Sequence, residues 1–177
     1  MAPAWWVSKG HSHSINNLEI KHHALPQVGQ PAPEFELATD AGQTVRLSDY
    51  RGHKVVLFFY PKADTPGCTK EACSFRDDYS VYQQRGVTVL GISPDTIKDE
   101  ATFKNKYALP YTLLADSDHV VAEVYGVWGQ KKFMGREYMG DLRTTFVIDE
   151  AGKIIQVFEG VKPDGHSAEI LAALTNK

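Results

Sequence analysis

The amino-acid sequence predicts an α/β domain, a mixed central β-sheet flanked by helices, with an N-terminal β-hairpin. Three observations lead there. Residues 55–60 (VVLFFY) are a continuous β-branched and aromatic run, as expected of a strand buried on both faces, and residues 87–92 repeat the signal. Segments of helical period separate these strands. Alternating β and α implies a parallel section with right-handed crossovers. Near the C-terminus, two strand-like segments are joined by Asp149-Glu150-Ala151-Gly152-Lys153, a hairpin signal that adds antiparallel pairing.

Residues 1–24 differ from the rest. They hold four of the seven histidines and two of the three tryptophans, and show no apolar period. Their apolar runs are too short for a secretory core, and they lack the arginines of a transit peptide. The expectation is a mobile extension on a cytoplasmic protein. His11, His13, His22 and His23 could suggest a metal site, but no acidic or cysteine ligand completes a set.

Gln30-Pro31-Ala32-Pro33 marks an extended entry into a domain spanning residues 25–177. Residues 35–37 and 44–47 flank the turn-rich Asp40-Ala41-Gly42-Gln43 and form the hairpin. Pro61 stops the strand 55–60. Over residues 65–84, Ala72, Phe75, Tyr79 and Tyr82 recur at three or four residues, which predicts one helix ending at Gly86. Strand 87–92, helix 99–107, strand 111–114 and helix 119–125 follow. Strands 145–148 and 154–158 and a helix 167–174 close the chain.

At 177 residues, 42% hydrophobic and 23% charged, the chain lies in the globular range and can bury a sizeable core. No run approaches the 18 or so apolar residues of a spanning helix. A net charge of −3 argues against a nucleic-acid partner. Two cysteines exclude a disulfide-stapled mini-protein and a four-cysteine zinc site. They leave a redox pair, a reactive thiol, one structural bridge, or no role.

The informative segment runs from Pro61 to Cys73 (PKADTPGCTKEAC). A buried strand ends at Pro61 and a short loop follows. Thr65 is an N-cap residue type, and Pro66 suits the first helical position. Gly67 leaves room for something to approach the backbone. Cys68 then falls in the first helical turn, near orphan N–H groups and the positive end of the dipole. Helix N-termini favour the thiolate. A thiol moved from about 8.5 to about 6 goes from roughly 3% to roughly 90% nucleophile at neutral pH. Cys73, in a row with Ala72 and Phe75, could equally be a small buried hydrophobe. Four residues between the cysteines rule out the C-x-x-C pattern of thioredoxin-type centres.

Pro61-xxx-Thr65-xx-Cys68 resembles the active-site signature of the peroxiredoxins. The longer TPGCTKEAC is similar to the bacterioferritin-comigratory protein branch, also called peroxiredoxin Q. Tyr125-Gly126-Val127-Trp128-Gly129 with Lys131-Lys132, the stretch from Gly135 to Gly140, and Arg143-Thr144-Thr145-Phe146-Val147-Ile148-Asp149 agree with it. The resemblance spans about residues 25–177. It implies a thioredoxin-like fold and a thiol peroxidase with no metal or organic cofactor. Cys68 would be the peroxidatic cysteine, forming a sulfenic acid with hydrogen peroxide or an organic hydroperoxide. Cys73 would resolve it as an intramolecular disulfide, which thioredoxin or a similar thiol would reduce. Thr65 would hydrogen-bond thiolate and peroxide, Pro61 would shield the sulfur, and Gly67 would admit substrate. Arg143 would supply a fixed positive charge, oriented by Glu71. Intramolecular resolution favours a monomer.

Overall fold

A strand apolar at every position from Val55 to Phe59 has to be covered on both faces. In the computed structural model, which describes residues 23–175, the elements run β1 (Glu36–Thr39), β2 (Thr44–Arg46), a 3-10 turn (Leu47–Tyr50), β3 (Lys54–Phe59), α1 (Pro66–Asp77) and α2 (Tyr79–Gln84). They continue with β4 (Val87–Ser93), α3 (Ile97–Tyr107), β5 (Thr112–Ala115), α4 (Val120–Val124), β6 (Trp128–Phe133) and β7 (Arg136–Asp141). The last are β8 (Thr144–Ile148), β9 (Ile154–Phe158) and α5 (His166–Thr175).

Seven strands form one sheet in the order β2-β1-β5-β4-β3-β8-β9. β3, β4 and β5 run parallel, and β1, β8 and β9 join antiparallel. In β3, residues 55–59 are all 0–2% exposed. Their side chains alternate between two cores, as pleating requires. Val55, Leu57 and Phe59 face a core closed by Phe35, Leu47, α4 and Phe146. Val56, Phe58 and Tyr60 face one closed by α1, α2, α3 and α5. Phe58 stacks on Phe75 of α1 with ring centroids 4.5 Å apart. Such a pair adds about 0.5–1.5 kcal/mol beyond area burial. In β4, a Cβ on Gly91 would lie 2.8 Å from the Phe58 ring and 2.9 Å from Leu113, so only glycine fits beneath that stack.

Two expectations change. The helix expected over 65–84 is two helices, because the chain bends at Asp78 (φ −95°, ψ 4°). There the Ser167 hydroxyl of α5 donates to Asp78 Oδ2 at 2.8 Å, and Tyr82 donates to the Ser167 carbonyl at 2.9 Å. Docking of α5 therefore sets the bend, a tertiary cause invisible to local periodicity. Residues 128–141, expected only as a sequence motif, form a separate two-stranded hairpin, β6–β7. Its two-residue turn, Met134-Gly135, has positive φ at both positions (48° and 79°). Turns of that kind usually carry Asn-Gly or Asp-Gly, and Met134-Gly135 is neither. Of the histidine-rich segment, residues 1–22 lie outside the described residues. Among the described residues no helix is long and apolar enough to cross a membrane, and no three His, Cys, Asp or Glu side chains converge as a metal site would need.

Candidate active site

The site forms where β3 delivers the chain to α1. Tyr60 N–H makes the last ladder bond, to the Ile92 carbonyl at 3.0 Å. Pro61 then offers no donor and ends the strand. The loop 61–65 is held from outside. Asp64 sits in the left-handed region at φ 58°. Its carboxylate is gripped by Lys106 Nζ at 2.8 and 3.0 Å and by the Tyr107 hydroxyl at 2.6 Å. Ala63 N–H donates to Asp95 Oδ2 at 2.7 Å.

Thr65 occupies the N-cap with extended backbone, and Pro66 is the first helical residue. The hydroxyl does not cap the helix. It donates instead to the Lys62 carbonyl at 2.7 Å, which leaves its lone pairs to accept. First-turn N–H groups of α1 thus stay without a side-chain cap beside Cys68. Cys68 itself is a member of the helical-face core and only 1% exposed.

Arg143 reaches the thiol from the short link between β7 and β8. Its Nη2 donates to Cys68 Sγ at 3.4 Å, and its Nη1 donates to Glu71 Oε2. Glu71 follows Cys68 by three residues, so both lie on one side of α1. Glu71 is fully buried, and its Oε1 has no hydrogen-bond partner among the described residues. Burial pushes its carboxyl up to about 7, with the Arg143 charge pulling the other way. Glu71 thus lies inside the fold and not on the exposed surface of α1. A Cβ on Gly67 would come within 3.3 Å of Arg143 Nη2. Gly67 is thus what admits the guanidinium to the first turn.

Pro61, Thr65, Gly67 and Arg143 line one wall of an open pocket of about 910 Å³, and Trp128, Lys131 and Met139 of the β6–β7 hairpin line another. Of the other site residues expected from the sequence, Cys68 and Glu71 do not line the pocket but are joined to it through Arg143, and Cys73 stands apart. That thiol is half-buried on the same helix, five residues on, and its partial burial pushes it up. Both cysteines are free. Lys131, quoted from the sequence only as part of a motif, lines the site although no role was expected of it. It donates to the Asp141 carbonyl at 2.9 Å, and burial followed by the Arg143 charge lowers it from the ordinary lysine range. Nothing in local sequence distinguishes Lys131 from Lys132; the β6–β7 pairing does.

The family model described as AhpC/TSA matches residues 28–157. Peroxiredoxin Bcp of Bacillus subtilis is 47% identical over 148 residues, covering 84% of this chain and 94% of the relative. Peroxiredoxin Bcp of Escherichia coli is 46% identical over 145 residues, covering 82% and 93%. Among solved structures, a cysteine-to-serine mutant of Xylella fastidiosa PrxQ superposes with a TM-score of 0.81 at 29% identity, over 86% of this chain and 98% of that one. The Xanthomonas campestris bacterioferritin comigratory protein, studied for alkyl peroxide reduction, gives 0.76 at 31% identity over 80% and 90%. With a reactive-cysteine geometry at the strand–helix junction of a thioredoxin-like fold, the chain belongs to the AhpC/TSA family and is a thiol-dependent peroxidase of the Bcp type.

Proposed function

We propose that Cys68 is the peroxidatic cysteine and Cys73 its intramolecular resolving partner, recycled by thioredoxin or a similar dithiol. The observation that carries this is the Arg143 guanidinium, one arm on Cys68 Sγ at 3.4 Å and the other on buried Glu71. Cys68 thiolate attacks the terminal oxygen of ROOH. The O–O bond breaks, Cys68 becomes a sulfenic acid, and RO⁻ leaves and takes a proton as ROH. Arg143 stabilises the charge that passes from sulfur to oxygen. Thr65, its own proton committed to Lys62, accepts from the peroxide O–H. Pro61 keeps bulk water from the sulfur. Cys73 then attacks the sulfenic sulfur, a disulfide forms, and water leaves. The dithiol reductant returns both thiols and is itself oxidised.

Trp128 and Met139 beside the pocket suit organic hydroperoxides as well as hydrogen peroxide. An internal resolving thiol needs no partner subunit, which supports a monomer. Dependence on free thiols suits a reducing compartment such as the cytoplasm. Residues 25–177 act as the peroxidase domain, with residues 1–24 dispensable for chemistry.

Cys68→Ser abolishes peroxide consumption in this account, because a serine hydroxyl is not ionised near neutral pH. Cys73→Ser keeps the first step, loses turnover with thioredoxin, and accumulates a sulfenic acid that dimedone traps. Equal loss of single-turnover peroxide reduction in both variants would overturn the assignment of roles.

A further inference from the structure

Behind the loop 61–65, three side-chain oxygens lie in a row. Glu100 Oε1 is 2.7 Å from Ser93 Oγ, and Ser93 Oγ is 2.7 Å from Asp95 Oδ2. Two hydrogen bonds among three oxygens need two protons. The Ser93 hydroxyl has one, so a carboxyl group must hold the other. Asp95 Oδ2 already accepts from Ala63 N–H at 2.7 Å, which marks Asp95 as the ionised partner. Ser93 Oγ, in turn, accepts from Asp95 N–H at 3.2 Å and so has its donor free for Asp95 Oδ2.

Glu100 has the opposite surroundings. It is fully buried in α3, and its Oε2 accepts from the Tyr60 hydroxyl. The carboxylates that act on it, Asp95 and Asp40, are of like charge, and Asp40 is itself paired with Lys104 at 3.3 Å. Two further neighbours, Tyr111 ahead of β5 and Asp141 at the end of β7, bring no positive charge either. Burying an ionised carboxylate without a cation is costly, and neutralisation is the usual response.

We propose that neutral Glu100 is a positioning residue for the peroxidatic loop: it donates to Ser93, Ser93 donates to Asp95, and Asp95 holds Ala63 N–H. Ala63 is two residues from Pro61 and two from Thr65, so this relay sets where the loop presents both to Cys68. The inference rests on Cys68 being the peroxidatic cysteine. Burial pushes the Glu100 carboxyl up to about 8, against the hydrogen bonds with Tyr60 and Ser93, and with Asp95 and Asp40 adding to the rise. Above that pH, two carboxylates compete for one hydroxyl proton, and the hold on Ala63 weakens.

Glutamine is a test of unusual sharpness here. Its amide N–H can donate to Ser93 and its carbonyl can accept from Tyr60, so it copies the protonated acid and cannot ionise. The rate of Cys68 oxidation by hydrogen peroxide would be measured by quenched thiol labelling from pH 6 to 9.5. Wild type, Glu100→Gln and Glu100→Ala would be compared, with folding checked by circular dichroism. The ratio of Glu100→Gln to wild type cancels the pH effects common to both proteins. That ratio is expected to stay level below pH 7 and climb about fivefold by pH 9.5, the equivalent of one net hydrogen bond. Glu100→Ala should be slower than Glu100→Gln throughout. In infrared difference spectra at pH 6.5, wild type minus Glu100→Gln should show a carboxylic-acid C=O stretch that titrates away with alkali.

A pH-independent ratio would overturn the proposal, as would a Glu100→Gln rate no better than Glu100→Ala at pH 7. A carboxylate band in place of the acid band would do so as well. Absence of Cys68 oxidation in the wild type would strike the peroxidase roles and this proposal together, whereas a flat ratio strikes this proposal alone.

Discussion

The first turn and the middle of helix α1 carry the same residue in very different surroundings. At the N-terminal end, Cys68 is 1% exposed, with a guanidinium on its sulfur and uncapped first-turn N–H groups beside it. At mid-helix, Cys73 is half-buried, its thiol pushed up by burial and the Arg76 charge opposing this. The contrast teaches that thiol chemistry is assigned by position. A sulfur at a helix start beside a fixed cation suits attack on peroxide. A thiol higher in the range suits waiting for a sulfenic acid. Unequal access also keeps external thiols from Cys68 while α1 is intact.

The largest effect comes from removing what makes the two thiols unequal. Arg143→Ala should slow Cys68 oxidation by about 10²–10³, the usual loss for one preorganised donor at a developing anion. Arg143→Lys should also be impaired, since a point charge cannot serve Cys68 and Glu71 together. Stopped-flow peroxide reduction measures both, and a wild-type rate for Arg143→Ala would dissolve the contrast.

Glu71 acts through Arg143, so its effect is smaller. Glu71→Ala should cost about tenfold in the same assay, because a buried guanidinium loses the partner that aims it. Glu71→Gln should lose less, since an amide oxygen still accepts from Nη1.

Tyr111 tests the Cys73 side. Its hydroxyl donates to the Ala72 carbonyl at 2.6 Å and so fastens α1 next to Cys73. Tyr111→Phe should release about 1 kcal/mol of hold. Disulfide formation after one equivalent of peroxide should then run severalfold faster, with the peroxide step itself little changed.

Stability shows what the Cys68 end costs. Burial raises Glu71 to about 7 and Asp141 to about 8, both above their unfolded values. The folded state therefore binds more protons than the unfolded one between about pH 4.5 and 8, and stability falls as pH rises through that window. Asp141 is fully buried, with neither carboxylate oxygen hydrogen-bonded among the described residues. Asp141→Asn should be the more stable protein by about 1 kcal/mol or more at pH 8.5, with the gap closing toward pH 5. Urea titrations across that range would show it.

Much of this was legible in the residues. VVLFFY could only be a doubly covered strand, and Thr65-Pro66-Gly67 announced a helix start at Cys68. Glu71 and Arg143 are 72 positions apart, and only the resemblance to a family brought them together. The bend at Asp78 depends on Ser167 of α5, and the β6–β7 turn uses Met134-Gly135 in place of a recognisable turn pair. The Tyr60–Glu100–Ser93–Asp95 relay joins the ends of β3 and β4 to α3 and leaves no local pattern. Contacts made across elements, with no period of their own, are what sequence reading cannot recover.

The central claim is that both roles live on one helix that has to open. Five residues along an α-helix are a rotation of about 140° and a rise of about 7.5 Å. A disulfide needs Cα atoms within about 4.4–6.8 Å and converging Cβ vectors. With α1 intact from Pro66 to Asp77, Cys68 and Cys73 cannot meet. Amide hydrogen exchange over residues 67–80, in the reduced protein and in the disulfide form confirmed by mass, measures this directly. The account predicts strong protection when reduced and its loss over about residues 67–75 when oxidised. Equal protection in the two forms would contradict it and point to a resolving thiol outside this helix.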